Sequence, residues 1–394
     1  MTEVHGAVAP GFEAVREVFA RNFTEGGELG AAVCVYRHGR KVVDLWGGIA
    51  DERAGRPWAR DTLQFVYSVT KGVTTMLAHL LVERGHLDLD APVARYWPEF
   101  AAAGKQDIPV RWLLTHQAGL PALNERFPVA ELAEWDRVVA RLAAQKPWWT
   151  PGTEQGYHAW TFGWLIGEVI RRITGRGFGE VFAAEIADRV GAEVWIGLPE
   201  ALEPRVSRIV SAPVPRELAR PPADLPKPTR KLLAEYDDPD SLIMRTFELT
   251  TPQLNANSRL VHAAEIPAAS AIGTADGFAR LYAATVGEVD GVRLLAPSTV
   301  ERARASQTAG LDRVLVKPAR WALGFIPHGQ LPGELTLLGP GSFGHDGHGG
   351  SLAFGDVEHG IGFAYVMNRL QHGPAADGGR AGRLVTALRT ALGQ

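Results

Sequence analysis

The chain has 394 residues, of which 46% are hydrophobic and 22% are charged, and its formal net charge is −3. This composition excludes a disordered or fibrous protein, and the length allows two domains or one domain with a large insertion. Cys34 is the single cysteine, which excludes an internal disulfide and a zinc site built from cysteines.

The first part of the chain predicts a helix followed by a β-hairpin. Apolar residues recur at helical spacing between Pro10 and Phe23. The segments Ala31–Tyr36 and Lys41–Trp46 are rich in residues that favour strands, and the turn residues His38-Gly39-Arg40 join them.

A long mainly helical region is predicted next. Leu63–Tyr67 leads into Ser68, and a helix is expected over Val69–Glu83 with Gly85 as its stop. The whole stretch from Val69 to Ala264 reads as helices and loops. Its further predicted helices are Val110–Thr115, Val129–Ala144 and Thr161–Thr174. The proline-rich segment 211–228 excludes regular structure and is interpreted as an ordered surface loop or lid.

Strands return in the last third of the chain. A helix is predicted over Ala275–Thr285 and another over Gly379–Leu392. The predicted strands lie around Trp321–Ile326, Ser351–Gly355 and Gly360–Met367. Because strands come from both ends and helices fill the middle, we expect a sheet domain from 1–70 and 265–394 and a mainly helical domain from 71–264. A site is expected in the cleft between them.

Ser68 and Lys71 stand three residues apart at the start of a predicted helix, so they share one face of it. Serine is a weak nucleophile at its free pKa, and a lysine held neutral by burial can accept its proton. A helix N-terminus disfavours a further cation and offers N–H groups to an oxyanion. An N-cap serine followed by an exposed lysine would give the same pattern.

Tyr157 is the second candidate, at a loop-to-helix junction that follows the turn Pro151-Gly152. Its hydroxyl can face a cleft, although a packed aromatic side chain would also fit there. A phenolate, or a phenol linked to Lys71, can take the serine proton and pass it to the leaving group. We expect the lysine cation to lower the pKa of Tyr157.

The third candidate is the glycine-rich segment Gly344-His345-Asp346-Gly347-His348-Gly349-Gly350, directly before a predicted strand. Its glycines let a substrate approach the main chain and free an N–H as the second oxyanion donor, which we place near His348. A flexible glycine turn is the alternative interpretation.

Together, Ser68-Val69-Thr70-Lys71, Tyr157-His158-Ala159 and His345-Asp346-Gly347 resemble the three ordered motifs of the serine β-lactamase and penicillin-binding superfamily. Their order and spacing are similar to its class C branch, particularly to the related family VIII carboxylesterases. Leu113–Leu120 also resembles the helix-end segment that these proteins carry between the first two motifs. The resemblance covers nearly the entire chain. It implies an α+β fold, with an antiparallel sheet flanked by helices and an inserted helical domain, and a covalent acyl-enzyme.

The resemblance also implies roles for individual residues. Ser68, Lys71 and Tyr157 are the expected catalytic residues. Oxyanion or substrate binding is expected of His158, Ala159, His345, Gly347, His348 and Gly349. His116 and His158 are also expected to hold loops through hydrogen bonds.

Two departures from the class C pattern bear on the substrate. Ala159 stands where true class C β-lactamases usually carry Asn, and His345 stands where the third motif usually begins with Lys. A neutral imidazole attracts a substrate carboxylate less than an ammonium does. Both departures favour an esterase over an efficient β-lactamase.

The sequence therefore predicts a serine hydrolase, a carboxylesterase acting on small esters. An acyltransferase, or a β-lactamase or D-amino-acid peptidase that uses the same site, is the first alternative, and a catalytically silent binding module is the second. We expect a small-molecule ester or amide as the partner, with no cofactor, metal, nucleic acid or membrane. The opening residues resemble no secretory signal and no apolar stretch reaches about 18 residues, which favours a cytoplasmic protein.

Three further patterns point less strongly to a function. Gly339, Gly341 and Gly344 match the dinucleotide-binding glycine spacing but precede a strand rather than a helix. His345 and His348 lack a third metal ligand in the sequence. The chain contains no GxSxG segment, so an α/β-hydrolase is disfavoured.

Overall fold

An antiparallel sheet organises the computed structural model, which describes residues 2–211, 238–371 and 379–393. Eight strands of these described residues form it. Seven of them follow one another in space as Val4–Val8, Arg40–Asp51, Gly30–Arg37, Ile361–Met367, Leu352–Asp356, Ser342–Asp346 and Ile326–Pro327, and Arg56–Pro57 pairs with Arg40–Asp51.

The two ends of the chain meet in the middle of this sheet. Gly30–Arg37 pairs with Ile361–Met367, in a register that sets Val33 opposite Tyr365. The first hairpin turns at His38 and Gly39, which both have positive φ (47° and 74°), the conformation that suits the twist of a two-residue hairpin loop. The predicted α+β fold with an antiparallel sheet built from both chain ends is therefore confirmed.

Both faces of the sheet are buried, which explains why the strand Gly30–Arg37 carries no alternating polar residues before its last position, Arg37. Val33 and Val35 pack on one face with the helices Glu13–Thr24 and Arg380–Ala391. Ala32, Cys34 and Tyr36 point to the opposite face, which the helices Val69–Glu83 and Ala275–Val286 cover. The site lies on this second side.

Smaller elements complete the described part of the chain. The other α-helices are Val110–Leu114, Trp135–Ala144, Thr161–Thr174, Phe178–Phe182, Asp188–Val190, Leu242–Phe247, Arg259–Ala263 and Pro297–Arg304. Short segments of 3₁₀-helix or π-helix occur at Val93–Arg95, Pro98–Gly104, Val129–Ala133, Ala183–Ala187 and Glu200–Arg205. Short sheets join Gln64–Phe65, Ala271–Gly273 and Val194–Ile196, then Thr308–Leu311 with Pro318–Trp321, and Phe127–Pro128 with Thr250–Thr251.

The structure corrects several predicted elements. The predicted helix Val129–Ala144 is interrupted at Glu134, whose ψ of 73° is not helical. The predicted strand Trp321–Ile326 is wrong, because its first residue ends one strand and its last begins another, with a turn at Gly324 between them. The strands Val4–Val8 and Ser342–Asp346 were not predicted. Of the proline-rich segment 211–228, residues 212–228 lie outside the described residues, and the division into two domains stays a prediction.

Candidate active site

Ser68 is presented by a sharp turn between a strand and a helix. Tyr67, the residue before it, has a φ of +48°, which is unusual for a residue other than glycine. The Thr70 hydroxyl donates to the Tyr67 carbonyl (2.5 Å) and accepts from the N–H of Ala271 (2.9 Å), which ties the turn to a neighbouring strand. Ser68 is thereby held at the first turn of the helix Val69–Glu83 while its side chain stays partly exposed.

Lys71 lies one turn further along the helix and is fully buried. Its Nζ is 3.1 Å from the Ser68 Oγ, 2.7 Å from the Ala159 carbonyl and 3.0 Å from the Ala268 carbonyl. Burial holds the pKa of Lys71 well below its usual range. A neutral amine has two N–H groups for the two carbonyls, which leaves its lone pair for the serine proton. The Ser68 side chain makes no capping bond, so the alternative of an N-cap serine with an exposed lysine is wrong.

Tyr157 approaches Ser68 from the opposite side. Its hydroxyl oxygen is 2.6 Å from the Ser68 Oγ, and the Lys71 Nζ lies 4.7 Å from the centre of its ring. The ring stacks on Trp321, with centroids 5.5 Å apart and planes inclined by 10°. The three predicted catalytic side chains therefore converge, although Tyr157 is distant from the other two in sequence.

The expectation that Lys71 lowers the pKa of Tyr157 is wrong. Burial raises the pKa of Tyr157 above its ordinary value and outweighs the hydrogen bond with Ser68, which acts in the opposite direction. The negative charges of Asp346 and Asp312 raise it further. A neutral amine beside a protonated phenol is the state that these surroundings favour, so the amine is the better base of the two.

The third motif begins on a strand and continues into a glycine turn. His345 and Asp346 end the strand Ser342–Asp346, and the chain then turns through Gly347. A Cβ atom on Gly347 would lie 2.2 Å from the carbonyl oxygen of Val66, so only glycine lets this turn approach the segment before Ser68 so closely.

His345 is buried, and its ring centre lies 6.1 Å from that of Tyr157. Burial lowers the pKa of His345 to about 3, so its imidazole is neutral at physiological pH. Its Nδ1 donates to the Asp346 carbonyl (2.7 Å), which leaves Nε2 as an unprotonated acceptor. The Asp346 side chain is about one-third exposed (34%), yet burial raises its pKa above the ordinary value. The motif thus adds a carboxyl rather than a cation to the site.

The two remaining predicted residues of the third motif lie in the turn after this strand. His348 is exposed, and its ring meets Tyr67 edge-on with centroids 5.3 Å apart. Gly349 has a φ of +86° and packs against Leu370. This turn therefore reaches the residue that precedes Ser68.

The position of His158 argues against the binding role predicted for it. The side chain is fully buried, its Nδ1 donates to the Gly156 carbonyl (2.6 Å), and its Nε2 accepts from the N–H of Leu120 (3.1 Å). Its main-chain N–H donates to the Nδ1 of His116 (3.1 Å). Both histidines hold loops together through hydrogen bonds, as the sequence predicted. Ala159 contributes its main-chain carbonyl to the Lys71 amine.

Sequence reasoning missed the residues that hold Tyr157 from behind. Trp321 was assigned only to a strand, and Asp312 was not singled out at all. No local pattern marks either residue, because their contacts with Tyr157 form only when a remote hairpin folds against the loop. The one sequence signal for this contact was Trp321 itself, a large aromatic residue close to the strands predicted to border the site.

In the described ranges, no group of three or more His, Cys, Asp or Glu side chains is arranged to hold a metal ion. Across the same ranges, no helix combines the length and the apolar character needed to cross a bilayer.

The chain is similar to known proteins over nearly all of its length. The sequence profile of the family described as Beta-lactamase matches residues 15–387. The esterase/beta-lactamase LipL of Mycobacterium tuberculosis is 37% identical over 372 residues, which cover 93% of this chain and 83% of LipL. A solved family VIII carboxylesterase superposes with a TM-score of 0.86 at 36% identity, covering 99% of this chain and 100% of that one. A penicillin-binding protein homologue from Caulobacter crescentus gives 0.83 at 35% identity, with the same coverage.

Proposed function

The chain belongs to the beta-lactamase family and is a serine hydrolase, and we propose that it is a carboxylesterase that forms an acyl-enzyme at Ser68. The observation that carries the proposal is the convergence of three groups. The Ser68 Oγ lies 3.1 Å from the Lys71 amine and 2.6 Å from the Tyr157 hydroxyl. Its small-molecule substrate is an ester.

Acylation begins with the transfer of the Ser68 proton to Lys71. Because two carbonyls hold the N–H groups of the amine, its lone pair is directed to the serine hydroxyl. The oxygen then attacks the ester carbonyl and gives a tetrahedral oxyanion. We assign its stabilisation to the N–H of Ser68 at the helix N-terminus and to an N–H near His348.

Collapse of the tetrahedral intermediate releases the alcohol and leaves the acyl group on Ser68. The departing alkoxide takes the hydroxyl proton of Tyr157, which Lys71 replaces with the proton that it received from the serine. Water then attacks the acyl carbonyl, and the same groups carry its proton back to the Ser68 oxygen. The sum is one ester and one water converted to one acid and one alcohol.

The surroundings of the third motif support an ester over a carboxylate-bearing β-lactam. His345 is neutral where the resemblance would supply a lysine, and Asp346 is close enough to raise the pKa of Tyr157 through its negative charge. A substrate carboxylate would therefore meet the Asp346 carboxyl and the neutral His345 imidazole at this motif. Neutral esters avoid that repulsion.

Other uses of the same acyl-enzyme remain alternatives. The name of LipL includes both esterase and beta-lactamase, and the Caulobacter crescentus structure is described as a penicillin-binding protein homologue. An acyltransferase would prefer an added alcohol or amine to water, and a β-lactamase would hydrolyse nitrocefin faster than p-nitrophenyl esters. A silent binding module would form no adduct at all.

Intact-mass measurement after treatment with a fluorophosphonate tests the proposal. We expect one adduct on the native protein and none on Ser68→Ala. Ser258→Ala is a matched control, because Ser258 also precedes a helix but caps it through the Val261 N–H and has no lysine one turn later. Absence of the adduct from folded native protein, or its persistence in Ser68→Ala, would reject the assignment. Turnover of nitrocefin above that of p-nitrophenyl butyrate would reject the esterase preference.

A further inference from the structure

Asp312 is a buried carboxylate that the reaction steps above do not use. Its side chain is fully buried, and it follows the strand Thr308–Leu311. One oxygen, Oδ1, accepts from the main-chain N–H groups of Val314 (2.9 Å), Leu315 (2.8 Å) and Tyr157 (3.0 Å). A carboxylate that gathers N–H groups from two remote parts of the chain fixes their relative position.

The second oxygen extends this contact to the ring of Tyr157. Oδ2 of Asp312 accepts from the indole Nε1–H of Trp321 (3.2 Å), and the indole ring stacks on Tyr157. Asp312 thus controls both the main chain of Tyr157 and the surface on which its ring rests. Tyr157 and Trp321 also share a small apolar cluster with Val314, separate from the main core.

Further contacts hold the same loop against the same hairpin. The Gln155 side-chain amide donates to the carbonyls of Gly310 (3.0 Å) and Ala319 (2.9 Å). The main-chain N–H of Arg313 donates to the Gln155 carbonyl (3.0 Å). Because these bonds dock the loop without Asp312, the loss of one carboxylate charge should shift Tyr157 rather than unfold the hairpin.

We infer that Asp312 is a positioning residue, which holds the Tyr157 hydroxyl against Ser68 by binding the Tyr157 N–H and the Trp321 indole. The inference rests on the proposed function, in which that hydroxyl delivers the proton to the leaving group. A reacting group displaced by about 1 Å can lose about 100-fold in rate. The rate of the chemical step therefore depends on Asp312, although Asp312 touches neither substrate nor Ser68.

Asp312→Asn is the sharpest single change. The amide oxygen can still accept the main-chain N–H groups, but the amide nitrogen faces the indole N–H, so two donors oppose each other. We expect kcat on p-nitrophenyl butyrate to fall about 10- to 100-fold while KM changes less than about threefold.

Asp356→Asn is the matched control, since Asp356 is also a fully buried carboxylate that accepts a main-chain N–H, from His359 at 2.8 Å. It ends the strand Leu352–Asp356 away from the site and should leave kcat within about twofold.

A double-mutant cycle with Tyr157→Phe separates positioning from a general structural effect. In a protein that already lacks the phenolic hydroxyl, Asp312→Asn should lower kcat less than about twofold. Losses that multiply in the double variant would overturn the inference, as would an Asp312→Asn protein with native kcat. If Tyr157→Phe itself keeps native activity, the proposed function fails, which is a different result from either of these.

Trp321→Phe provides a second test should Asp312→Asn fail to fold. It removes the indole N–H together with the five-membered ring that carries it, and it keeps a phenyl ring for stacking on Tyr157. We expect kcat to fall about three- to tenfold in the native background and to stay unchanged in the Tyr157→Phe background. Equal losses in the two backgrounds would overturn the inference.

Discussion

Tyr157→Phe removes one hydroxyl and keeps the aromatic ring, so it isolates the proton transfer. The stacking on Trp321 and the contact with Lys71 involve the ring and remain. The lost group is the hydroxyl that lies 2.6 Å from the Ser68 Oγ. A positioned proton donor contributes about 10²- to 10⁴-fold to a rate. We therefore expect kcat/KM to fall by that factor, which corresponds to about 2.7–5.4 kcal/mol of transition-state stabilisation.

Tyr282→Phe is the control for the same chemical change. Tyr282 is fully buried, and within the ranges that the structure describes its hydroxyl has no hydrogen-bond partner. The hydroxyl lies against the main chain of Gly72, directly after Lys71, so the control probes the same helix. Loss of an unpaired buried hydroxyl should stabilise the fold by about 1 kcal/mol or more. We expect a higher midpoint of thermal unfolding and kcat/KM within about twofold of native.

Stopped-flow release of p-nitrophenol measures the acylation step directly. Tyr157→Phe should lose the rapid first turnover, whereas Tyr282→Phe should keep it. An acylation rate in Tyr157→Phe within about fivefold of native would refute proton delivery by Tyr157, since that corresponds to less than about 1 kcal/mol. Equal losses in both variants would assign the effect to packing of the helix.

Three further outcomes follow from the structure. Burial lowers the pKa of Lys71 below its ordinary value of 10.5, so kcat/KM should fall as the pH drops through that lowered pKa and the amine gains a proton. In Lys71→Met, the pH–rate profile should not show this fall. Gly347→Ala places a Cβ atom 2.2 Å from the Val66 carbonyl and should lower kcat/KM about 100-fold, whereas native kinetics would contradict the close approach. Burial raises the pKa of Glu28 from 4.5 to about 7, so its carboxyl stabilises the fold below about pH 4.5 and that stability is lost as pH rises through about 7. The free energy of unfolding, measured in urea at pH 5 and at pH 8, should differ less between the two pH values for Glu28→Gln than for the native protein. An equal difference in both proteins would exclude Glu28 as the cause.

The sequence predicted those elements that are determined by residues close together along the chain. The helices Val69–Glu83 and Thr161–Thr174 have the predicted bounds, since apolar spacing and glycine stops are readable along the chain. The strand Ser342–Asp346 escaped prediction, because Gly344 and the glycines after it have low strand propensity. Its order comes from pairing with Leu352–Asp356 on one side and Ile326–Pro327 on the other.

Properties that arise from burial could not be read from the sequence. The approach of Lys71 to Ser68 was predictable from helical spacing, whereas the raised pKa of Tyr157 depends on the apolar wall that Trp321 and Val314 build around it. Asp312 bonds to Tyr157 across 155 residues, a separation at which no periodicity operates. The buried position of His158 likewise depends on a loop that begins at Leu120.

The pairing of early and late strands constrains how the protein can be made. The Gly30 N–H donates to the side chain of Asn368 across 338 residues, at the central pair of the sheet. A ribosome must release nearly all of the chain before this pair can close, and contacts of such long range form slowly. Until then the strand Gly30–Arg37 exposes an apolar edge, which is where nascent chains associate with one another. Translation that stops before Ile361 leaves that edge open permanently, so such fragments should collect in inclusion bodies.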